Sequence, residues 1–406
     1  MQPILIVGII VITGFLFGEL AERIRLPKIT GYILAGILLN PDVVKFMPSD
    51  VIKHTALVTN ISLSFITFSV GGTLLYSRIK KLGKSILYIT LFEAESAFIC
   101  VIVGLLIVMP FFMHATNSAW ATTFIPISIL LAALASPTDP SATLAITHEY
   151  KAKGSVSSTI MAAAAFDDVL GIINYSLAVV IANTLIMHKA FNVENSLLEP
   201  LRIIAGALLL GSAFGVIFNK VSSLLSKKSD GVLIVLVLGF LTLCFGTASL
   251  VQVDQLLSTM VMGIVVVNFN LHRDKVFAIL ERYTEELIFV LFFTISGMQL
   301  DFGVLAKSFI LVLFFVLFRT IGKVLGTRVG AWLSNAPPKV KKYAAGGLIP
   351  QGGIVIGLAL MMKQDPAFSA ISDIIISVTI GSTVVHELIG PIIAKTVLKK
   401  AGEIPE

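Results

Sequence analysis

The chain has 406 residues, of which 56% are hydrophobic and only 13% are charged, with a formal net charge of +6. Soluble domains carry about 25% charged residues, so the composition indicates a polytopic membrane protein with little chain left for a soluble domain. The basic residues lie in short loops between apolar segments, which is typical of membrane topology and argues against a nucleic-acid partner. Cys100 and Cys244 lie inside apolar runs, so we expect neither a disulfide framework nor a resident metal or cofactor.

About thirteen segments are apolar over the roughly 20 residues that a helix needs to cross a bilayer, which predicts an all-α fold. In chain order they are residues 2–21, 29–47, 55–76, 84–112, 119–147, 155–187, 198–218, 231–249, 254–268, 276–297, 304–333, 344–362 and 371–398. Basic residues are concentrated in the odd-numbered loops and in the C-terminal tail. This alternation predicts a plasma (inner) membrane protein with its N-terminus outside and its C-terminus in the cytoplasm.

Two of these segments contain helix-breaking residues in the middle. In the first, Pro137 and Pro140 bracket Thr138 and Asp139. Because proline removes a backbone donor and clashes with the preceding turn, local unwinding is expected there. The second break contains the run Gly346, Gly347, Pro350, Gln351, Gly352 and Gly353. Ordinary kinks in continuous helices are the alternative interpretation. If the helices are unwound, each break must be buried in protein or line a wet cavity, because unwound backbone at membrane depth is tolerated only there.

The two broken segments occupy corresponding positions in two triplets of segments. In residues 84–187 and again in residues 304–398, a long segment precedes the broken one and an unbroken segment follows it. The loop topology starts the two triplets on opposite sides of the membrane, which predicts an inverted repeat with two crossed discontinuous helices. Paired discontinuous helices of this kind point to a transporter binding site at the bilayer midplane.

Two adjacent carboxylates, Asp167 and Asp168, interrupt the apolar segment 155–187. One ionised side chain at the bilayer centre costs about 2.5–3.5 kcal/mol on insertion scales, and neighbouring like charges resist joint ionisation. Cations or protons would relieve this cost. The pair therefore indicates a protein that moves cations or protons.

Several motifs in order along the chain resemble those of one family. The run LPKITGYILAGILLNP at residues 26–41 resembles the opening signature of Kef- and Nap-type monovalent cation:proton antiporters, and FDDVLGI at residues 166–172 resembles the aspartate-pair motif of their sodium/proton members. The Thr138-Asp139 pair, RTIGKVLG at residues 319–326 and GLIPQGG at residues 347–353 fit the same pattern. On these motifs the sequence is identified as a member of the monovalent cation:proton antiporter superfamily.

This resemblance implies a fold in which a core of crossed broken helices moves against a dimerisation part in a homodimer. On that pattern, residues 1–80 and 220–300 form the dimerisation part, and residues 84–187 and 304–398 form the ion-transport core of a single domain. Residues 1–406 show no counterpart of the soluble nucleotide-binding domain typical of potassium-efflux Kef proteins, so a regulatory subunit would be a separate polypeptide.

The resemblance also implies roles for individual residues. The second aspartate, Asp168, would be the direct ligand of the transported sodium ion, with Asp167 and Thr138 beside it. Asp167 would pair with a lysine of the second half, best matched by Lys323. Arg319 lies one turn earlier on the same helical face and is the alternative partner; it could instead bind the carbonyl groups of a broken helix. Lys323 could instead extend its ammonium group to the inner surface.

The remaining polar residues within the membrane segments have two interpretations each. Asp139 can belong to the cation- and proton-binding group, where it would offset the partial positive charge of a helix N-terminus, or only cap the helix that begins near Pro140. Asn174 can line the pathway or form an interhelical hydrogen bond. Intramembrane ionisable groups indicate functional sites by default, although hydrogen-bond networks are the competing role. This last group comprises Glu93, Glu95, His386 and Glu387.

The function predicted from these features is exchange of a monovalent cation for protons by alternating access, with sodium preferred and lithium and potassium left open. If both aspartates exchange protons, transport is electrogenic. The chain shares its Thr-Asp-Pro triplet with the electroneutral branch, so an electroneutral exchanger is an alternative. However, its acid pair is Asp-Asp, where that branch has Asn-Asp. A cation channel, a transport-inactive sensor and an intramembrane aspartyl protease are the other classes, but adjacent acids on one helix point apart, which disfavours the protease.

Overall fold

The computed structural model describes most of the chain, and its described residues form helices and connecting segments without any strand. It describes residues 3–24, 26–41, 43–44, 55–112, 120–187, 193–225, 229–298, 302–351, 355–356, 358–359, 362 and 366–404. Gly352 and Gly353 of the second broken segment lie outside these residues.

The helices follow one another in chain order with short connections. They are α1 (Pro3–Arg23), α2 (Lys28–Leu38), α3 (Ala56–Thr73), α4 (Tyr76–Phe112), α5 (Ile125–Ala135), α6 (Pro140–Glu149), α7 (Ser155–Met187), α8 (Val193–Leu225), α9 (Asp230–Leu250), α10 (Gln255–Phe269), α11 (Arg273–Tyr283), α12 (Glu285–Met298), α13 (Phe302–Leu333), α14 (Pro338–Gly347) and α15 (Ser372–Lys400). A π-helical turn, Trp120–Phe124, leads into α5.

Among the described residues, eight candidate spans are long and apolar enough to cross a membrane, with the interrupted run Trp120–Glu149 counted as one, and three shorter helices are also apolar. Twelve of the thirteen sequence segments correspond to a described helix or helix pair, and segment 344–362 is described only in part. Helix α2 ends at Leu38, well before the end of the predicted segment 29–47. Another segment also differs from its prediction. Residues 276–297 form α11 and α12 rather than one span, because the polar residues around Thr284 separate an amphipathic helix from an apolar one.

Both breaks lie where proline and glycine predicted them. Helix α5 ends at Ala135, the chain is not helical from Ser136 to Asp139, and α6 begins at Pro140. Proline is favoured at the first position of a helix because its missing N–H would have no partner there. In the second break, α14 ends at Gly347, and Pro350 and Gln351 lie in non-helical backbone. The discontinuous-helix prediction is thus confirmed.

The chain divides into two compact units. Unit 1 comprises Met1–Lys81, Pro140–Lys151 and Leu201–Leu300, and unit 2 comprises Leu82–Asp139, Ala152–Pro200 and Asp301–Glu406. In unit 1, α2 packs against α1 and α12, and α10 packs against α3. In unit 2, α7 packs against α5 and α14, and α15 packs against α13 and α14. The assignment of these parts to dimerisation and transport remains a prediction.

A stripe of glycines lets α13 approach α4 closely within unit 2. Gly322, Gly326 and Gly330 recur every four residues on one face of α13, and a Cβ atom at Gly326 would lie only 2.1 Å from the carbonyl oxygen of Phe92. Small residues at this spacing allow membrane helices to bring their backbones together. The close approach places the polar face of α13 next to the middle of α4, where Glu93 lies.

Candidate cation and proton site

The centre of unit 2 contains a lysine that faces two carboxylates. The Nζ atom of Lys323 on α13 lies 3.1 Å from Oδ2 of Asp167 on α7 and 2.7 Å from Oε2 of Glu93 on α4. All three side chains have 0% exposure. A buried charge costs several kcal/mol unless it is paired, so each of these groups depends on the others for its charged form.

Lys323 also binds the first broken segment. Its ammonium group donates a hydrogen bond to the carbonyl oxygen of Ser136 and another, of 2.7 Å, to Oγ1 of Thr138. An ammonium group has three N–H donors, whereas four acceptors surround this one. The four acceptors therefore compete for the three N–H donors of Lys323.

The first break holds Asp167 through Thr138. The hydroxyl group of Thr138 donates a 2.5 Å hydrogen bond to Oδ2 of Asp167, and the backbone N–H of Thr138 donates to Oδ1 at 3.2 Å. The N–H group is available because the helix is unwound at this point. Both oxygens of Asp167 are thus engaged.

Asp168 has a different environment from its neighbour on α7. Its side chain is partly exposed, whereas that of Asp167 is fully buried. Successive residues of a helix differ in direction by about 100°, so the two carboxylates face different surroundings. The structure thus separates one fully buried aspartate, which contacts Lys323, from one partly exposed aspartate.

Arg319 binds the carbonyl groups of both breaks. Its guanidinium group donates to the carbonyl oxygens of Ala135 and Pro137 at 3.0 and 2.8 Å, and to those of Ile349 and Pro350 at 2.5 and 3.3 Å. A helix end leaves such carbonyl groups without intrahelical partners. The structure therefore places Arg319 against the carbonyl groups of the breaks, while Lys323 contacts Asp167.

The two breaks also contact each other directly. The backbone N–H of Asp139 donates a 3.0 Å hydrogen bond to the carbonyl oxygen of Pro350. Gln351, which is fully buried, donates from Nε2 to the carbonyl oxygen of Leu134 at 2.8 Å and accepts from the hydroxyl group of Ser382 at 3.2 Å. Gln351 thus links the end of α5 to α15.

The remaining candidates surround this centre at different positions. Asn174 donates to Oε1 of Glu95 and to Oγ of Ser136, both at 3.1 Å, which is the interhelical hydrogen bond considered for it. His386 is buried on α15, where the charges of Arg319 and Lys323 act on it. The neighbouring Glu387 is also buried and interacts electrostatically with Asp139.

Unit 1 contains a second polar cluster that the sequence analysis did not identify. Lys28 contacts Glu19, Glu286 and Glu22 at 2.8, 3.3 and 3.4 Å. Nearby, Nδ1 of His148 lies 2.6 Å from Oε2 of Glu285, beside an open cavity of about 310 Å³. These residues come from α1, α2, α6 and α12, so no local sequence pattern could have brought them together.

A bundle of membrane helices with two crossed breaks around buried charges is the architecture of a secondary transporter. The family described as "Sodium/hydrogen exchanger, transmembrane" matches residues 7–400 of the chain. The chain therefore belongs to the sodium/hydrogen exchanger family.

Three curated relatives carry related names. The "Na(+)/H(+) antiporter 1" of Methanocaldococcus jannaschii is 23% identical over 222 residues, which are 54% of this chain and 48% of the relative. The "Na(+)/H(+)-K(+) antiporter GerN" of Bacillus cereus is 20% identical over 92% of both chains. The "Cation/H(+) antiporter 20" of Arabidopsis thaliana is 25% identical over 89% of this chain and 45% of the relative. The chain thus spans about half the length of the first and third relatives.

Two solved structures of the sodium proton antiporter MjNhaP1 from Methanocaldococcus jannaschii share this fold. One, determined at pH 8, has a TM-score of 0.74 at 20% identity and aligns over 98% of each chain. The other, an electron-microscopy structure, has a TM-score of 0.79 at 21% identity, over 99% of this chain and 98% of that chain. The predicted antiporter fold is therefore confirmed.

Proposed function

We propose that this protein is a secondary active antiporter that exchanges a monovalent cation for protons by alternating access, with sodium as the first candidate cation. The observation that carries the proposal is the buried group of Asp167, Lys323 and Glu93 at the crossed breaks. The names of the relatives agree with it, and lithium and potassium are the other candidate cations.

The coupling follows from charge balance in the buried site. Asp167, Glu93, Lys323 and Arg319 together carry no net charge when all are ionised, and a protonated Asp168 leaves the site neutral. A sodium ion that binds Asp168 and Asp167 adds a positive charge, which a low-dielectric site resists. Loss of a proton from the site removes that excess. Cation binding and proton release therefore favour each other, and one pocket serves both ions in turn.

The division of labour between the aspartates follows from their surroundings. The partly exposed Asp168 is the carboxylate that an entering cation meets first. The oxygens of Asp167 are already engaged by Lys323 and Thr138, so a cation that reaches Asp167 competes with the ammonium group. If both aspartates exchange protons, more than one proton moves per cation and transport is electrogenic.

The cellular arrangement is part of the same proposal. The loop charges favour a plasma-membrane protein with its C-terminus in the cytoplasm. The contact between the start of α7 and the segment after α15 agrees with both lying on the same side of the membrane. We assign residues 84–187 and 304–398 to transport and residues 1–80 and 220–300 to a homodimer interface, in agreement with the family resemblance.

The proposal is tested by cation-driven proton movement in proteoliposomes that contain a pH-sensitive dye. Sodium, lithium and potassium are compared for the wild type, for Asp168→Asn and for Asp373→Asn, which neutralises an exposed carboxylate of α15 in the same unit. We expect one cation to drive proton movement in the wild type and in Asp373→Asn, and none in Asp168→Asn. A wild type that is silent for all three cations from pH 6 to 9 would contradict antiport.

A further inference from the structure

The segment after α15 turns back sharply towards the start of α7. Gly402 has a left-handed backbone, with φ of 70°. The N–H groups of Gly402 and Glu403 donate to the carbonyl oxygens of Lys399 and Leu398 at 3.0 and 3.1 Å. This is the Schellman arrangement, in which a left-handed glycine ends a helix and reverses the chain. It directs Glu403 away from the axis of α15.

Glu403 provides the cap of α7. One oxygen of its carboxylate accepts a 2.7 Å hydrogen bond from the N–H of Val156, and the other accepts a 2.8 Å bond from the N–H of Ser157. Its carbonyl oxygen accepts a third bond, of 3.0 Å, from the N–H of Lys153. Glu403 is only 7% exposed. A carboxylate at this position satisfies two unpaired donors and complements the positive end of the helix dipole.

The sequence at the start of α7 is adapted to this distant cap. An N-cap residue normally supplies the capping oxygen from its own side chain, but Gly154, which precedes Ser155, has none. A Cβ atom at Gly154 would lie 2.2 Å from the carboxyl carbon of Glu403. Helix α7 thus receives its cap from Glu403, which lies 247 positions after Val156 and 246 after Ser157, and a local cap has no space.

We infer that Glu403 is a positioning residue for cation exchange, an inference that rests on the proposed function. By binding the first turn of α7 to the end of α15, it sets the axial position of the helix that carries Asp167 and Asp168. Asp167 lies 11 residues beyond Val156, about 16 Å along the same helix. A rigid helix transmits a shift at its start to the aspartates, and Asp167 must meet Lys323 and Thr138 within hydrogen-bond distance.

The first experiment compares Glu403→Ala and Glu403→Gln with the wild type in proteoliposomes. We expect Glu403→Ala to raise the apparent KM for the driving cation about three-fold or more, a change at the lower end of the energies that helix caps contribute. We expect the pH profile of transport to shift as well, because a displaced α7 changes the distance between Asp167 and Lys323. Glu403→Gln keeps one oxygen acceptor, so its KM should lie between those of the wild type and Glu403→Ala. Unchanged KM and pH profile in both variants would overturn the inference.

The second experiment separates positioning from simple capping. In a Glu403→Ala background, Gly154→Asp has space for a local cap that restores a hydrogen-bond acceptor to α7 but no link to α15. Hydrogen exchange of the peptide that contains Val156 and Ser157 reports the cap, and KM reports the position of the aspartates. We expect the double variant to regain amide protection but to keep the raised KM. Recovery of both would reduce Glu403 to a cap and overturn the inference.

A wild type that moves no cation in these liposomes contradicts the proposed function itself. A wild type that exchanges cations, with variants that behave identically to it, contradicts only the role of Glu403. Thermal unfolding of each purified variant in detergent identifies any variant that fails to fold, and Glu403→Gln provides a milder substitution in that case.

Discussion

The Nζ atom of Lys323 lies 3.1 Å from Oδ2 of Asp167, and neither side chain has exposed surface. The same ammonium group lies 2.7 Å from Glu93. One ammonium group therefore contacts two carboxyl groups in the interior of the helix bundle, and the hydroxyl group of Thr138 is hydrogen-bonded to both the ammonium group and Asp167. Any step that changes the charge of one of these groups changes the free energy of the others.

Replacement of Lys323 tests this dependence. Lys323→Met leaves Asp167 and Glu93 buried without their cation, and removing one partner of a buried ion pair costs about 3–5 kcal/mol. We expect a lower unfolding temperature in detergent and loss of cation-driven proton movement. The double variant Lys323→Met/Asp167→Asn should be more stable than Lys323→Met alone, because it removes one of the uncompensated charges. Equal stability of Lys323→Met and the wild type would contradict the arrangement.

The role of Arg319 at the crossed breaks is tested with a conservative change. Arg319→Lys keeps the charge but replaces a planar fork with a single ammonium group, which cannot reach four carbonyl oxygens. We expect a lower unfolding temperature and loss of most transport. Arg328→Lys, on an exposed face of the same helix, is the matched control and should resemble the wild type. Transport by Arg319→Lys at the wild-type rate would show that the carbonyl contacts are dispensable.

The approach of α13 to α4 is tested at the glycine stripe. Gly326→Ala introduces a Cβ atom 2.1 Å from the carbonyl oxygen of Phe92, and overpacking of this kind costs about 1–3 kcal/mol. It also moves Lys323 away from Glu93, so transport should fall together with the unfolding temperature. Gly83→Ala on α4 meets no atom within 4 Å and should have little effect on either quantity.

The assignment of Asp168 as the entry ligand predicts a specific ligand effect on stability. A ligand that binds only the folded state at 100 times its Kd stabilises it by about 2.7 kcal/mol, so the transported cation should raise the unfolding temperature of the wild type in detergent. Asp168→Asn should keep the stability of the cation-free protein but lose this increase. An undiminished increase in Asp168→Asn would place the cation elsewhere.

Local chemistry explains the features that the sequence alone determined. Pro137, Pro140 and Pro350 lack backbone donors, so the breaks could be located from the residues themselves. The cost of a carboxylate in the membrane marked the Asp167-Asp168 pair in the same way. The alternation of basic loops predicted the orientation of the spans in the membrane, which stays a prediction, and ordered motifs indicated the family.

Tertiary structure decided which groups meet. Arg319 and Lys323 lie one turn apart on one helical face, and both could have reached Asp167. The close approach of α13 to α4 and the crossing of the breaks give the lysine to Asp167 and Glu93 and the arginine to the carbonyl groups. The contact of Glu403 with α7 spans about 247 residues of sequence. Contacts of this range depend on how whole helices pack, and packing is a property of the folded chain that no local pattern contains.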